Sequence, residues 1–371
     1  MTRLNELTVL GQSAWLDFIQ RSFIKTGKLQ ELIDQGIRGL TSNPALFEKA
    51  IADSNDYDAD IKLLFGQGKS VNEIYEALVI KDIQSVAELL HPLYLETQGN
   101  DGYVSLEVSP ALANDAIGTI SEAKRLFAAL DYPNVMIKIP ATPAGIQAIE
   151  AVTALGINVN VTLIFSQRQY EAVALAYIAG LEKLLLSGKP LSQIFSVASL
   201  FVSRLDTAVD NALTKLNHSD LLGYAALDNA KLVYARFLEI FSGERWQRLA
   251  QAGAHIQRPL WASTGTKNPK YSDTIYVDNL IGKDTVSTIP MKTLRAFLDH
   301  GKAELSIGKD IAGARQRLKN LAELGLDLDA IAEQLLLDGV DAFSKAFQGL
   351  MSSIETKKNS LDDQARTGHE R

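Results

Sequence analysis

No cysteine occurs among the 371 residues, which excludes a disulfide framework, a thiolate metal site and a thiol nucleophile. No apolar run reaches the 18 residues of a membrane span, and the opening stretch MTRLNELTVLGQSAWLDFIQ has no unbroken apolar core behind a basic leader. The expectation is a cytoplasmic protein without membrane contact. Basic charge is also in short supply: the formal net charge is -7 and the pI is near 5.4, so the surface as a whole repels nucleic acid and acidic membranes. An anionic ligand must be held by local cations. No phosphate-binding P-loop, GxGxxG turn or GxSxG elbow is present. His91, His218, His255, His300 and His369 are scattered without metal-ligand spacing, and the economical reading is chemistry with neither metal nor cofactor.

What is present suffices for a large core. Hydrophobic residues make up 46% and charged residues 22%, ordinary values for a soluble globular chain. The length exceeds a usual single core but suits an α/β barrel. Strand-like runs recur at 13–19, 39–43, 103–108, 134–139, 157–165, 194–202, 258–264 and 273–280, mostly separated by helical segments. That alternation predicts a closed parallel (β/α)8 TIM barrel. Helix-start signals agree: Thr142 before Pro143, and Ser70 with Glu73 and Ser166 with Gln169 in capping-box spacing. Residues 44–102 are too long for one crossover and predict a helical insertion between strands 2 and 3. Residues 302–355 predict a C-terminal helical extension, making 1–355 a single catalytic domain. The polar stretch 356–371 is expected to be a flexible tail.

Side chains alternate faces along a strand, and in a barrel one parity faces the helices while the other fills the interior. In NVMIKI, Val135, Ile137 and Ile139 take the helix-facing parity, leaving Met136 and Lys138 for the interior. The same rule sets Val104, Leu106 and Val108 against Tyr103, Ser105 and Glu107. It also sets Val159, Val161 and Leu163 against Asn158, Asn160 and Thr162. Asp17 shares a face with Ser13 and Trp15, and Asn43 with Thr41. Asp17, Asn43, Glu107, Lys138 and Thr162 thus converge near the C-terminal ends of five successive strands, where barrel active sites lie. Each has a plain structural account taken singly. Lys138 could snorkel, Glu107 could be its salt-bridge partner, Asp17 could accept backbone N–H groups, and Asn43 and Thr162 could brace loops. Their convergence is what points to a site.

Burial disfavours the charged form of a lysine and makes a neutral amine available to attack a ketone. The resulting Schiff base is an electron sink for cleaving the adjacent carbon–carbon bond. Two carboxyl groups, Asp17 and Glu107, could serve the proton transfers that such a sequence demands. Arg204 follows the sixth strand, and Ser263, Gly265 and Lys267 follow the seventh. Loops there often bind phosphate, although the same composition is ordinary for a loop. Strand parity does not settle Ser199.

At these positions the chain resembles the transaldolases, in the order WLDFI, GLTSNPALFEKAI, VSLEVSP, NVMIKIPAT, NVNVTLIFS, ASLFVSRLD and WASTGTKNP. Its length and C-terminal extension are similar to the longer bacterial subgroup. The resemblance implies transfer of a dihydroxyacetone unit from sedoheptulose 7-phosphate to glyceraldehyde 3-phosphate, giving erythrose 4-phosphate and fructose 6-phosphate. It implies Lys138 as the Schiff-base lysine, Asp17 as the general acid/base, and Glu107 with Thr162 as the pair that positions a catalytic water. It implies Asn43 and Ser199 as contacts to substrate hydroxyls, and Arg204 and Ser263 as phosphate ligands. Lys267 stands where many relatives carry a second arginine; a lysine supplies a point charge there, without a bidentate fork. The implied partners are sugar phosphates, with no nucleic acid or membrane, and a homodimer is compatible. The alternatives are a fructose-6-phosphate-type aldolase, which releases free dihydroxyacetone, and a barrel that binds sugar phosphates without catalysis.

Overall fold

A computed structural model describes residues 2–368. Eight parallel strands close into a barrel in sequence order. They are β1 (Gln12–Asp17), β2 (Ile37–Thr41), β3 (Tyr103–Glu107), β4 (Val135–Pro140), β5 (Val159–Ile164), β6 (Ser196–Phe201), β7 (Gln257–Ala262) and β8 (Thr285–Pro290). The helices up to the barrel's midpoint are α1 (Arg3–Val9), α2 (Arg21–Lys25), α3 (Lys28–Gln35), α4 (Pro44–Ala52), α5 (Asp58–Gly66), α6 (Val71–Glu96), α7 (Ala116–Leu130) and α8 (Pro143–Ala154). They continue as α9 (Gln167–Leu186), α10 (Ser203–Lys215), α11 (Ala225–Ile240), α12 (Glu244–Gln251), α13 (Ile275–Asn279), α14 (Met291–His300), α15 (Ile311–Glu323) and α16 (Leu328–Gly368). The insertion between β2 and β3 is α4 to α6, and the extension is α15 and α16. No helix of the described residues is long and apolar enough to cross a membrane.

The helix starts follow the local chemistry read from sequence. Thr142 Oγ1 accepts from Gly145 N at 2.9 Å ahead of Pro143, and both halves of the Ser70–Glu73 capping box form, satisfying N–H groups that have no intrahelical partner. Parity also holds through most of the barrel. Val104, Leu106, Val135, Ile137, Ile139, Val159 and Val161 pack between sheet and helices, while Trp15, Tyr103, Met136, Val197, Leu260 and Val286 fill the interior.

Two expectations need correction. The eighth strand is Thr285–Pro290, whereas 273–280 contains the short helix α13. The apparent alternation around Ile275 and Val277 is a helical turn whose Tyr276 and Val277 are buried, and the β-branched run TVSTI fills the barrel. Leu163 leaves its assigned face: the pairing of β5 with β6 shifts register between Val161 and Ile164, and Leu163 adopts φ +59°. Its side chain therefore joins the interior cluster with Phe165, Phe201 and Phe343. It packs where α16 carries Gly339, at which a Cβ would lie 2.8 Å from Leu163 Cδ2. The backbone of 356–368, within the stretch expected to be a flexible tail, continues α16, and 369–371 lie outside the described residues.

Part of the reason is Lys357, whose Nζ reaches back to Asp58 Oδ1 and the Ser54 carbonyl, each at 2.7 Å. Both side chains are largely shielded from solvent, so the pair escapes much of the screening that weakens surface bridges. Replacing Lys357 with alanine is expected to lower unfolding stability by about 1 kcal/mol, read as a lower urea midpoint at unchanged slope; an unchanged midpoint would mean that this contact does not anchor the helix.

Candidate active site

Parallel pairing sets residues on neighbouring strands side by side on one face, and this register assembles the site. Glu107 on β3 is in register with Lys138 on β4, and Lys138 Nζ donates to Glu107 Oε2 at 3.0 Å. Asp17 on β1 is in register with Thr41 on β2, and Thr41 Oγ1 donates to Asp17 Oδ1 at 2.9 Å. Thr41 also meets Thr288 Oγ1 at 2.6 Å, which ties β8 to the same cluster. Below Lys138, Ser199 Oγ donates to Asn160 Oδ1 at 2.7 Å and Asn160 Nδ2 donates to Ser105 Oγ at 2.9 Å. That buried chain spans β3, β5 and β6.

A cavity of about 250 Å³ opens at the C-terminal mouth, lined among others by Asp17, Asn43, Lys138, Thr162, Ser199, Arg204, Ser263 and Lys267. Of the residues expected from sequence, Glu107 alone does not line it. Its carboxyl group, at the last position of β3, faces the space beside Tyr75 and Phe347 instead. Asn43 has a local task as well, because its Oδ1 accepts from Leu46 N at 3.1 Å and caps α4. Thr162 Oγ1 is buried without a hydrogen-bond partner among the described residues. An unpaired buried hydroxyl beside a cavity is costly unless a ligand or water satisfies it.

Lys138 is only 4% exposed. Besides Glu107, its Nζ reaches the Ser42 carbonyl at 3.2 Å and lies 5.3 Å from the centre of the Phe343 ring. Phe343, from α16, also lies 6.0 Å from the Arg204 guanidinium, which sits 5.4 Å from Phe201. Among the described residues Arg204 and Lys267 make no ion pair, so the cavity gathers Lys138, Arg204 and Lys267 against the single carboxyl group of Asp17. A locally cationic cavity in a net-acidic chain selects an anionic ligand. Ser263, beside these cations, holds φ +57°, and its Oγ meets Ser203 Oγ at 2.8 Å, linking the loop after β7 to the first turn of α10.

Burial raises the Asp17 carboxyl above its ordinary value, with Lys138, the Thr41 hydrogen bond and Lys267 pulling the other way. Glu107 is raised for the same reason against the opposing effect of Lys138. Two carboxyl groups that hold protons more readily than usual thus stand near one amine, an arrangement suited to moving protons during catalysis. The aromatic roof from Phe201 and Phe343 was missed from sequence. Phe343 lies on a helix outside the barrel motifs, where an aromatic residue cannot be told from packing. Thr41 and Asn160 were within reach, since parity already placed them inward.

Residues 14–354 match the family model described as Transaldolase/Fructose-6-phosphate aldolase. The chain is 44% identical over 372 residues to "Transaldolase" of Trichodesmium erythraeum, covering 96% of this chain and 98% of that protein. It is 46% identical over 358 residues to "Transaldolase" of Thiobacillus denitrificans, with 95% and 100% covered. Against "Transaldolase" of Thermobifida fusca it is 46% identical over 359 residues, with 95% and 97% covered.

The Asp17 shift carries a stability consequence. A carboxyl raised in the folded state binds its proton more tightly there than in the unfolded chain. Ionisation therefore costs stability as pH climbs from the ordinary carboxyl range through the folded-state value, and the cost persists above it. Asp17→Asn keeps an acceptor for Thr41 and removes that cost. The variant is expected to gain in melting temperature relative to the parent as pH rises through this window; a variant less stable at pH 7 would contradict the burial argument.

Proposed function

The chain belongs to the transaldolase/fructose-6-phosphate aldolase family, and on that premise we propose how its cavity performs transaldolase chemistry. The transfer takes a dihydroxyacetone unit from sedoheptulose 7-phosphate to glyceraldehyde 3-phosphate. In this reading Lys138 Nζ attacks the donor ketone and gives up a proton toward Glu107. Glu107 returns that proton to the carbinolamine hydroxyl, which departs as water and leaves a protonated imine. Asp17 takes the proton of the hydroxyl next to the scissile bond, the carbon–carbon bond breaks, and its electron pair flows into the imine to form an enamine. The acceptor aldehyde is attacked by the enamine carbon, Asp17 returns the proton to the new hydroxyl, and water hydrolyses the product imine.

The single observation that carries the proposal is the amine of Lys138, buried at the cavity floor and hydrogen-bonded to Glu107. Other contacts fit specific parts of the substrate. Arg204, Ser263 and Lys267 would hold the phosphate, with the first-turn N–H groups of α10 nearby. Asn43 Nδ2 and the Ser199 oxygen would meet sugar hydroxyls, and Thr162 Oγ1 would hold a water or hydroxyl. Transfer requires that the enamine survive until an aldehyde arrives, and the rings of Phe201 and Phe343 favour this by limiting water over Lys138. The same proposal includes a cytoplasmic setting and is compatible with a homodimer, which light scattering would test.

Incubation with fructose 6-phosphate and borohydride, followed by peptide mapping, is expected to place a reduced three-carbon adduct on Lys138. Without an acceptor, free dihydroxyacetone should not accumulate; its continuous release would move the assignment to aldolase. Lys138→Ala should lose the adduct and at least about a thousandfold of transfer rate with an unchanged circular dichroism spectrum. Arg204→Lys, which keeps charge but loses the fork, should raise the donor KM by about tenfold with a smaller change in kcat. An unaltered KM would remove Arg204 from the phosphate site.

A further inference from the structure

Behind Lys138, on the side away from the substrate cavity, the wall formed by β3, α6 and α7 encloses a second cavity of about 210 Å³. Tyr75, Glu76, Glu107, Ser109, Glu122 and Phe347 are among the residues that line it. A smaller space of about 10 Å³, room for about one water, shares Tyr75, Glu107 and Phe347 with it and is also bordered by Ser42 and Asn43. Glu107 borders both spaces and accepts from Lys138 at 3.0 Å. Glu107, hydrogen-bonded to the amine, thus shares the lining of the side cavity with Tyr75 and Glu122.

We propose that this side cavity is a separate passage through the barrel wall for the water and proton exchanged when the imine forms and hydrolyses, with Tyr75 and Glu122 relaying between Glu107 and solvent. The inference rests on the imine reading above. Each imine formed expels one water, as C=N replaces C=O, and each hydrolysis consumes one. A phosphorylated sugar bound beneath Phe343 stands between Lys138 and solvent at the front. Water arriving past Glu107 would reach the imine carbon by a route other than the front cavity, where the enamine must stay unprotonated.

The groups around the passage suit the task. From β3, Glu107 faces Lys138 of β4; from α6 come Tyr75 and Glu76; from α7 come Glu122 and Arg125; from α16 comes the uncharged ring of Phe347, 5.2 Å from that of Tyr75. Arg125 is engaged with Glu76 at 2.5 Å, which leaves Glu122 free of an ion pair among the described residues. Glu122 accepts from Ser109 N at 3.2 Å, and burial raises its carboxyl above the usual range. Burial together with the nearby carboxylates raises the Tyr75 hydroxyl, so it stays a donor.

The test uses the full-length enzyme, with Tyr75→Phe, which keeps the ring, and Glu122→Gln, which keeps the acceptor for Ser109. Oxygen-18 uptake from labelled water into C2 of fructose 6-phosphate, above the uncatalysed rate, reports water passage through each imine cycle. Conversion of the borohydride-trappable three-carbon adduct into a six-carbon adduct on adding glyceraldehyde 3-phosphate reports carbon transfer alone. Both variants are expected to slow oxygen exchange by about tenfold while the adduct conversion keeps the parent rate. Exchange at the parent rate in folded variants, or an equal loss in both measurements, would overturn the passage. Absence of any adduct in the parent enzyme would instead overturn the imine reading, so the two failures are distinguishable.

Discussion

The Lys138–Glu107 pair is the constraint around which the rest of the barrel is arranged. A basic and an acidic side chain are held at 3.0 Å with about 5% of either exposed, a placement whose desolvation cost is repaid only by close geometry and further hydrogen bonds. Strand register supplies the geometry, because Glu107 and Lys138 are direct neighbours across β3 and β4. The Ser42 carbonyl supplies a further hydrogen bond. Moving β3 by one residue would take Glu107 out of register with Lys138 and leave the buried amine without its carboxylate. The chain of Ser105, Asn160 and Ser199 beneath the pair satisfies polar groups that would otherwise weaken the same three strands.

An amine buried this way needs a roof as well as a floor, and the roof comes from the far end of the sequence. Helix α16 crosses the mouth and brings Phe343 over Lys138 and Arg204. One helical turn later, Phe347 stacks edge-on against Tyr75. Residues at i and i+4 share a helix face, so a single face of α16 closes both cavities that flank Lys138. The approach is close because Gly339 leaves room for Leu163, and Leu163 reaches that position by adopting a left-handed backbone uncommon for a branched side chain. The insertion is part of the same construction: Tyr75 belongs to α6, and Asp58 of α5 receives Lys357 of α16.

This arrangement explains what could be read from the sequence and what could not. Strand parity is a local rule, so it located Lys138, Asp17, Thr162 and the helix-facing rows wherever pairing stayed regular. It failed at Leu163, where a register shift and a positive φ break the alternation. It also failed at 273–280, where a few apolar residues fit a strand and a helical turn equally well. The side of Lys138 that Glu107 faces, and the identity of Phe343 as a cavity residue, depend on contacts between segments far apart in the chain. Neither leaves a periodic trace. Composition alone likewise cannot announce that Lys357 meets a carboxylate on α5.

The two carboxyl groups near the amine illustrate how position divides labour between chemically similar residues. Asp17 shares the front cavity with three cations and the ligand space, where its raised carboxyl can exchange a proton with a substrate hydroxyl. Glu107 is raised as well, yet it sits behind the amine and borders the side cavity. Under the proposed mechanism, one carboxyl on each side of Lys138 would separate carbon–carbon chemistry at the front from dehydration at the back.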